Sequence, residues 1–319
     1  MELPSLAEIE AAALVVYRHM PPTPQYRWPL LCEAAGTDVW LKHENHTPIG
    51  AFKLRGGLTY FENLGARTRP TGVISATRGN HGQSVALCAR QYGIPATIVV
   101  PHGNSVEKNA AMRAFGAKLV EHGEDFQAAR EHAEALAARD RLHMVPSFHR
   151  LLVTGVATWA LELFRAVPDL QTLYVPIGLG SGICGAVAVR NALGSKAEIV
   201  GVVSSQARAY AASFAARKPV EIPVSTKISD GMAVRTPDPD ALDIICREVA
   251  RIVEVTDEEV ARAIALIFQS THNVAEGAGA APFAAMLKER ARLAGRKVAG
   301  VLSGGNIDRD VFAGALKES

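Results

Sequence analysis

Gly72-Val73-Ile74-Ser75-Ala76-Thr77-Arg78-Gly79-Asn80-His81-Gly82-Gln83 opens the run of sequence that decides the fold. Its first four residues read as a short strand, and Gly82 to Tyr92 as a helix with Val85, Ala86 and Ala89 turned inward. A fully apolar strand, Ala96 to Val100, comes next, then a helix from Val106 to Phe115 closed by Gly116. Lys118-Leu119-Val120 is a third strand and Phe126 to Arg139 an alanine-rich helix. Strands and helices alternating through short loops predict a parallel sheet covered on both faces. The alternation resumes downstream, with helices at 155–164, 186–193 and 259–268 and strands at 173–177, 199–203 and 297–302. Thr256 and Glu259 form a capping box for the 259–268 helix. Upstream, Ser5 and Glu8 cap a first helix whose apolar face is Leu6, Ile9, Ala13 and Val16. Pro21, Pro22 and Pro24 stop it, the stretch to Trp28 reads as loop, and Val39 to Lys42 as a strand. The expected fold class is α/β, with two doubly wound units and parallel sheets, seams near 71 and 148, and a site in the cleft between them.

The chain has 319 residues, 48% hydrophobic and 21% charged, which suits an ordinary soluble globular protein. A net charge of +2 without long runs of like charge gives no support for nucleic-acid or membrane-surface binding. The acidic N-terminus lacks an apolar signal core, and no apolar stretch is long enough to span a bilayer. Cys32, Cys88, Cys184 and Cys246 are scattered without metal or redox spacing, so reduced thiols and a cytoplasmic setting are expected. His43 and His46 have the spacing of a ligand pair, but two histidines in a polar loop make no metal set, and none is expected.

Chemistry gathers at four places. Lys53 lies between Phe52 and Leu54 in the glycine-bounded Gly50-Ala51-Phe52-Lys53-Leu54-Arg55-Gly56-Gly57. A solvated lysine seldom sits there, and a buried one must be paired or have a depressed pKa. Alone, the segment suits a structural lysine at least as well as one primed for Schiff-base chemistry. Gly178-Leu179-Gly180-Ser181-Gly182-Ile183-Cys184-Gly185 follows a strand and precedes a helix, a place where backbone amides crowd round an anion. It satisfies G-x-G-x-x-G, which keeps an NAD(P)-binding oxidoreductase in view, but the next strand ends Val202-Val203-Ser204 without the acid that would take a ribose. A phosphate monoester fits it better. The loop from Ser75 to Gln83 suits a small carboxylate, although an N-cap role for Asn80 would explain part of it. Ser303-Gly304-Gly305-Asn306 closes the last strand and by itself is a two-glycine turn.

Together, Ala-Phe-Lys-Leu-Arg-Gly, Gly-Asn-His-Gly-Gln, the glycine-rich loop and Ser-Gly-Gly-Asn resemble the fold-type II (tryptophan synthase β-like) pyridoxal-phosphate enzymes, in their serine/threonine dehydratase and serine racemase branch. The resemblance spans nearly the whole chain, and Ser229-Asp230-Gly231-Met232-Ala233-Val234 and Val274-Ala275-Glu276-Gly277 also stand in the family's order. It implies pyridoxal 5'-phosphate as cofactor, with Lys53 as its Schiff-base residue and the base that removes the α-proton. Phe52 would flank the ring, Asn80 bond its 3′-oxygen and Ser303 face its nitrogen. Gly178, Leu179, Gly180, Ser181 and Gly182 would hold the phosphate, and Glu276 joins the cofactor-binding set. Thr77, Arg78, Gly79 and His81 would bind the substrate. Residues 1–70 and 149–319 would form the large cofactor-binding domain, and 71–148 a small, mobile substrate-loop domain. The implied reaction eliminates water from a β-hydroxy amino acid to give a 2-keto acid and ammonia, in a homodimer. Racemisation or β-replacement on the same scaffold is the alternative, and a non-catalytic binding protein is a third.

The departures matter. Arg78 stands where relatives usually carry a small residue, often the serine that is the racemases' second base; arginine's high pKa denies it that role. It can clamp a carboxylate or form a salt bridge at the loop's rim. Ala51, the Gly155-Val156-Ala157-Thr158 string and Ser147-Phe148-His149 also depart from the family's usual residues. They leave L-serine and L-threonine beside a bulkier 3-hydroxy amino acid such as phenylserine. Val203 to Ala209 offers no carboxylate for a divalent cation. The short stretch after Asn306 suggests no appended regulatory domain, hence a catabolic role.

Overall fold

A computed structural model describes residues 1–68 and 70–317. Its strands are β1 (Gln25–Arg27), β2 (Asp38–His43), β3 (Val73–Ala76), β4 (Ala96–Val100) and β5 (Lys118–Glu121), then β6 (His143–Met144), β7 (Thr172–Pro176), β8 (Glu198–Ser204), β9 (Arg251–Val255) and β10 (Lys297–Leu302). They form two sheets, one ordered β1-β2-β10-β7-β8-β9 and the other β5-β4-β3-β6. All pairings are parallel except β1 with β2.

The larger sheet sorts its side chains by the two-residue period of a strand. Val175, Ile199, Val203 and Val301 pack under the helices Arg150–Ala166 and Ser181–Ala192. Tyr174, Val200, Val202 and Val298 face the helices Asp257–Thr271 and Gly277–Lys288. The smaller sheet is covered in the same way, by Asn80–Gln91 and Val106–Ala114 on one face and Phe126–Asp140 on the other. Both capping boxes form as expected, Ser5 with Glu8 and Thr256 with Glu259.

Three readings of the sequence are corrected. The stretch before Trp28 contains the edge strand β1, because the outer edge of β2 offers unpaired backbone groups that three residues can take up. The helix expected from 186 starts at Ser181, and the one expected from 155 starts at Arg150 behind His149, whose Nδ1 accepts the Leu151 amide. The Lys53 segment opens a helix, Lys53–Arg67, that buries Leu54, Leu58 and Phe61 in the core of the smaller sheet. It lies between Asn80–Gln91 and Arg150–Ala166. Contact is so close that a Cβ at Gly57 would lie 2.1 Å from Ser84 Oγ and one at Gly56 2.8 Å from the Leu152 carbonyl. Gly56-Gly57 therefore serves packing, not a turn.

Behind this helix sits an ion network that is buried except for a small part of Glu162. Arg55 donates to both oxygens of Glu44 at 2.7 and 2.9 Å and to both oxygens of Glu162 at 2.6 and 2.9 Å. Lys42 donates to Glu162 at 2.5 Å, and Thr23 to Glu44 at 2.5 Å. Two cations thus balance two carboxylates, and Arg55, Lys42 and Glu44 have no exposed surface. Removing one charge strands the others in a medium that cannot solvate them. Arg55→Met should cost about 3–5 kcal/mol of stability by urea unfolding, and an unchanged midpoint would show the network to be dispensable.

Candidate active site

Strand ends of both sheets meet at one cleft of about 890 Å³, counting its open mouth. Phe52 and Lys53, the loop from Ala76 to His81, Gly178 to Gly182, and Ser303 all line it. The segment before Lys53 is fixed to the end of β10: the Phe52 amide donates to the Ser303 carbonyl at 3.0 Å, and Ala51 bridges Gly304. Lys53 is therefore the first residue of its helix, and its Nζ reaches Ser181 Oγ at 2.9 Å, 4.8 Å from the Phe52 ring centre. Burial lowers its pKa to about 8, against an upward pull from Glu276. About a tenth of the amine is then neutral at pH 7, far more than for an ordinary lysine.

The glycine loop makes an anion cradle. A Cβ at Gly178 would fall 2.4 Å from the Gly231 carbonyl, and Gly180 takes φ 104°, so neither position takes a side chain without strain. No side chain caps the helix Ser181–Ala192, which leaves its first amides and positive end facing the cleft. Tyr210 donates to the Leu179 carbonyl at 3.0 Å and fixes the loop from behind. Strand β8 ends with Ser204 donating to Gln206, with no acid at that point.

Opposite, the helix Asn80–Gln91 also starts without a side-chain cap, because its N-cap residue is Gly79. Asn80 donates to Glu276 at 2.6 Å and accepts from Asn306 at 2.9 Å. Lys108 donates to the other Glu276 oxygen at 3.1 Å and to Asp230 at 2.7 Å. Burial pushes the Glu276 carboxyl up, yet a donor on each oxygen is the arrangement of an ionised carboxylate. Burial would lower Lys108, but its two carboxylates raise it instead. Thr77 Oγ1 accepts the Gly79 amide at 3.0 Å. His81 is held neutral by burial and by the charge of Lys53, its pKa lowered to about 3, and its Nε2 has no partner among the described residues. Among the described residues Arg78 has no salt-bridge partner at the rim, and its Nε is buried and unpartnered.

The fold thus gathers every site residue singled out from the sequence into one cleft. Sequence reasoning missed Lys108, because a lysine in Val-Glu-Lys-Asn-Ala-Ala reads as solvent-facing. Asp230 and Asn306 stood inside quoted motifs but carried no role. His43 and His46 lie outside the cleft, with His43 accepting from Trp28 at 2.9 Å and His46 lying 2.7 Å from Asn273 Oδ1.

A low-pKa amine facing an anion cradle between two α/β layers defines an enzyme site for a phosphorylated carbonyl compound. A family model, "Pyridoxal-phosphate dependent enzyme", matches residues 16–304, and the chain belongs to that family. An L-threonine ammonia-lyase from Geobacter sulfurreducens is 36% identical over 277 residues, covering 86% of this chain and 69% of its own length. A catabolic L-threonine dehydratase from Staphylococcus aureus is 31% identical over 318 residues, covering 98% and 92%. The structure of a threonine deaminase from T.th. superposes with TM-score 0.88 at 30% identity, covering 96% of this chain and 99% of that one. The dinucleotide alternative falls with the family. No helix among the described residues is long and apolar enough to cross a membrane.

Pyridoxal phosphate fits this donor set: an amine for its aldehyde, a cradle closed to side chains for its phosphate, and an aromatic side chain beside the amine. Because only the neutral amine attacks a carbonyl, a pKa near 8 sets the pH at which cofactor-free protein takes up pyridoxal phosphate. Loading followed by absorbance should rise with pH and be half-maximal near pH 8, well below the ordinary lysine value of about 10.4.

Proposed function

We propose that the chain is a pyridoxal-phosphate-dependent ammonia-lyase that removes water from a β-hydroxy amino acid, releasing a 2-keto acid and ammonia. The observation that carries this reading is Lys53 Nζ, 2.9 Å from Ser181 at an uncapped helix start and lowered to a pKa of about 8. The relatives' names give the reaction class. Pyridoxal phosphate, when bound, supplies the electron sink for charge developing at the substrate's α-carbon.

The chain's own residues do the rest. Gly178 to Gly182 and the start of Ser181–Ala192 would hold its phosphate, with Phe52 and Asn80, the latter braced by Glu276 and Asn306, as further contacts to the cofactor. Ser303 would offer the cofactor a neutral hydroxyl, which cannot hold a proton on it as a carboxylate would. Loss of the β-hydroxyl then relieves the charge more readily than transamination does. Thr77, Gly79 and His81 hold the substrate's α-carboxylate at the start of Asn80–Gln91. Lys53 Nζ takes the α-proton, and the leaving hydroxyl departs as water.

Among the described residues lining the cleft, no titratable side chain is free to act with Lys53 as a second base. A guanidinium is not a base, His81 near pKa 3 is too weak, and Lys108, Asp230 and Glu276 hold one another. Elimination therefore ranks above racemisation. In the same reading, 71–148 is a mobile unit over 1–70 and 149–319, and the enzyme is a cytoplasmic homodimer. Four unpaired cysteines suit a reducing compartment.

Purified protein loaded with cofactor should release ammonia and 2-keto acid one for one from L-serine or L-threonine. Lys53→Ala should lower kcat by about 10²–10⁴-fold. Accumulation of the D-amino acid without keto acid would replace the lyase with a racemase.

A further inference from the structure

Among the described residues, the cleft wall carries three cationic side chains, Lys53, Arg78 and Lys108, and two carboxylates, Asp230 and Glu276. Lys108 takes both carboxylates, at 2.7 and 3.1 Å. Lys53 is the reacting amine. Arg78 is left over: it has no ion pair or hydrogen bond to any described residue, and its Nε is buried without a partner. The residue as a whole is only partly buried, so the guanidinium's terminal nitrogens stay reachable by a ligand in the cleft. Its forked donors match the two oxygens of a carboxylate.

The ligands' other anions already have places. The phosphate goes to the uncapped start of Ser181–Ala192, and the α-carboxylate to the uncapped start of Asn80–Gln91, beside the unpartnered His81 Nε2. That leaves Arg78 as the cleft cation without an anion assigned to it, within reach of a substrate's side chain. Resting on the lyase reading above, we infer that Arg78 is a specificity residue for a β-hydroxy amino acid whose side chain ends in a carboxylate. The rest of that wall, Phe126, Ser147, Ala233 and Val234, is uncharged, so Arg78 is the cation a distal carboxylate meets. The reaction balances: the α-hydrogen and β-hydroxyl leave as one water, a second water hydrolyses the carbon–nitrogen bond, and the products are a dicarboxylic 2-keto acid and ammonium.

Aspartate, the diacid without a β-hydroxyl, tests recognition apart from turnover. Calorimetry on the cofactor-loaded enzyme should show aspartate binding at least about tenfold more tightly than alanine, the scale of one buried charged contact. Arg78→Ala should bring that ratio towards one, with Arg78→Lys between them because a point charge replaces a fork. The ratio of kcat/KM for 3-hydroxyaspartate over serine should fall in parallel. A wild-type aspartate-to-alanine ratio near one overturns the inference without any variant needing to fold. So does Arg78→Ala weakening aspartate and alanine equally, which would place Arg78 on the α-carboxylate. Serine turnover without a diacid preference sinks the inference but keeps the lyase. Tight aspartate binding without keto acid from any β-hydroxy amino acid sinks the lyase but keeps Arg78 as a distal-carboxylate contact.

Discussion

Everything at the cleft depends on the buried contact of Arg55 with Glu44 and Glu162. Arg55 lies two residues beyond Lys53 and is wholly buried, and its guanidinium joins the segment after β2 to the helix Arg150–Ala166. A charge this deep tolerates few geometries, since any shift leaves a carboxylate or guanidinium unpaired at large cost. The network therefore fixes the first turn of Lys53–Arg67, and with it the direction of the Lys53 side chain. The hydrogen bond from Phe52 to Ser303 ties the same turn to β10. An amine that must meet a carbonyl within bonding distance needs such a rigid base.

A second polar system works in the opening itself. Lys108 and Asn80 come from elements packed on the smaller sheet, whereas Asp230 and Glu276 belong to the larger sheet's side. The two layers thus meet through charge-assisted bonds rather than through apolar packing at this point. Such bonds fix orientation and keep acidic groups near Lys53 from acting as bases. Burial keeps His81 neutral in the same region. One titrating amine is left to do proton chemistry, which suits elimination better than two-sided proton exchange.

The elements most legible in the sequence were those whose local pattern matched their final surroundings. Val73 to Glu121 alternates apolar strands with helices because both faces of a parallel sheet are buried, and the observed strands fall within a residue or two of the expected ones. Glycine strings were less legible. Gly56-Gly57 marks close helix packing, while Gly178 to Gly182 marks a cradle, and the residue type alone does not separate the two uses. β1 gave no signal because three residues have no periodicity to show.

By itself the sequence determined the α/β alternation and the motifs and their order, because each rests on local spacing and residue chemistry; Lys53 stood out as a reactive amine only through the resemblance those motifs carry together. Only the tertiary structure decided how those motifs face one another. It set Glu276 against Asn80, brought in Lys108, and left Arg78 without a salt bridge among the described residues. The reason is physical: whether a charge is paired depends on groups far apart in the chain, and no local pattern records that distance.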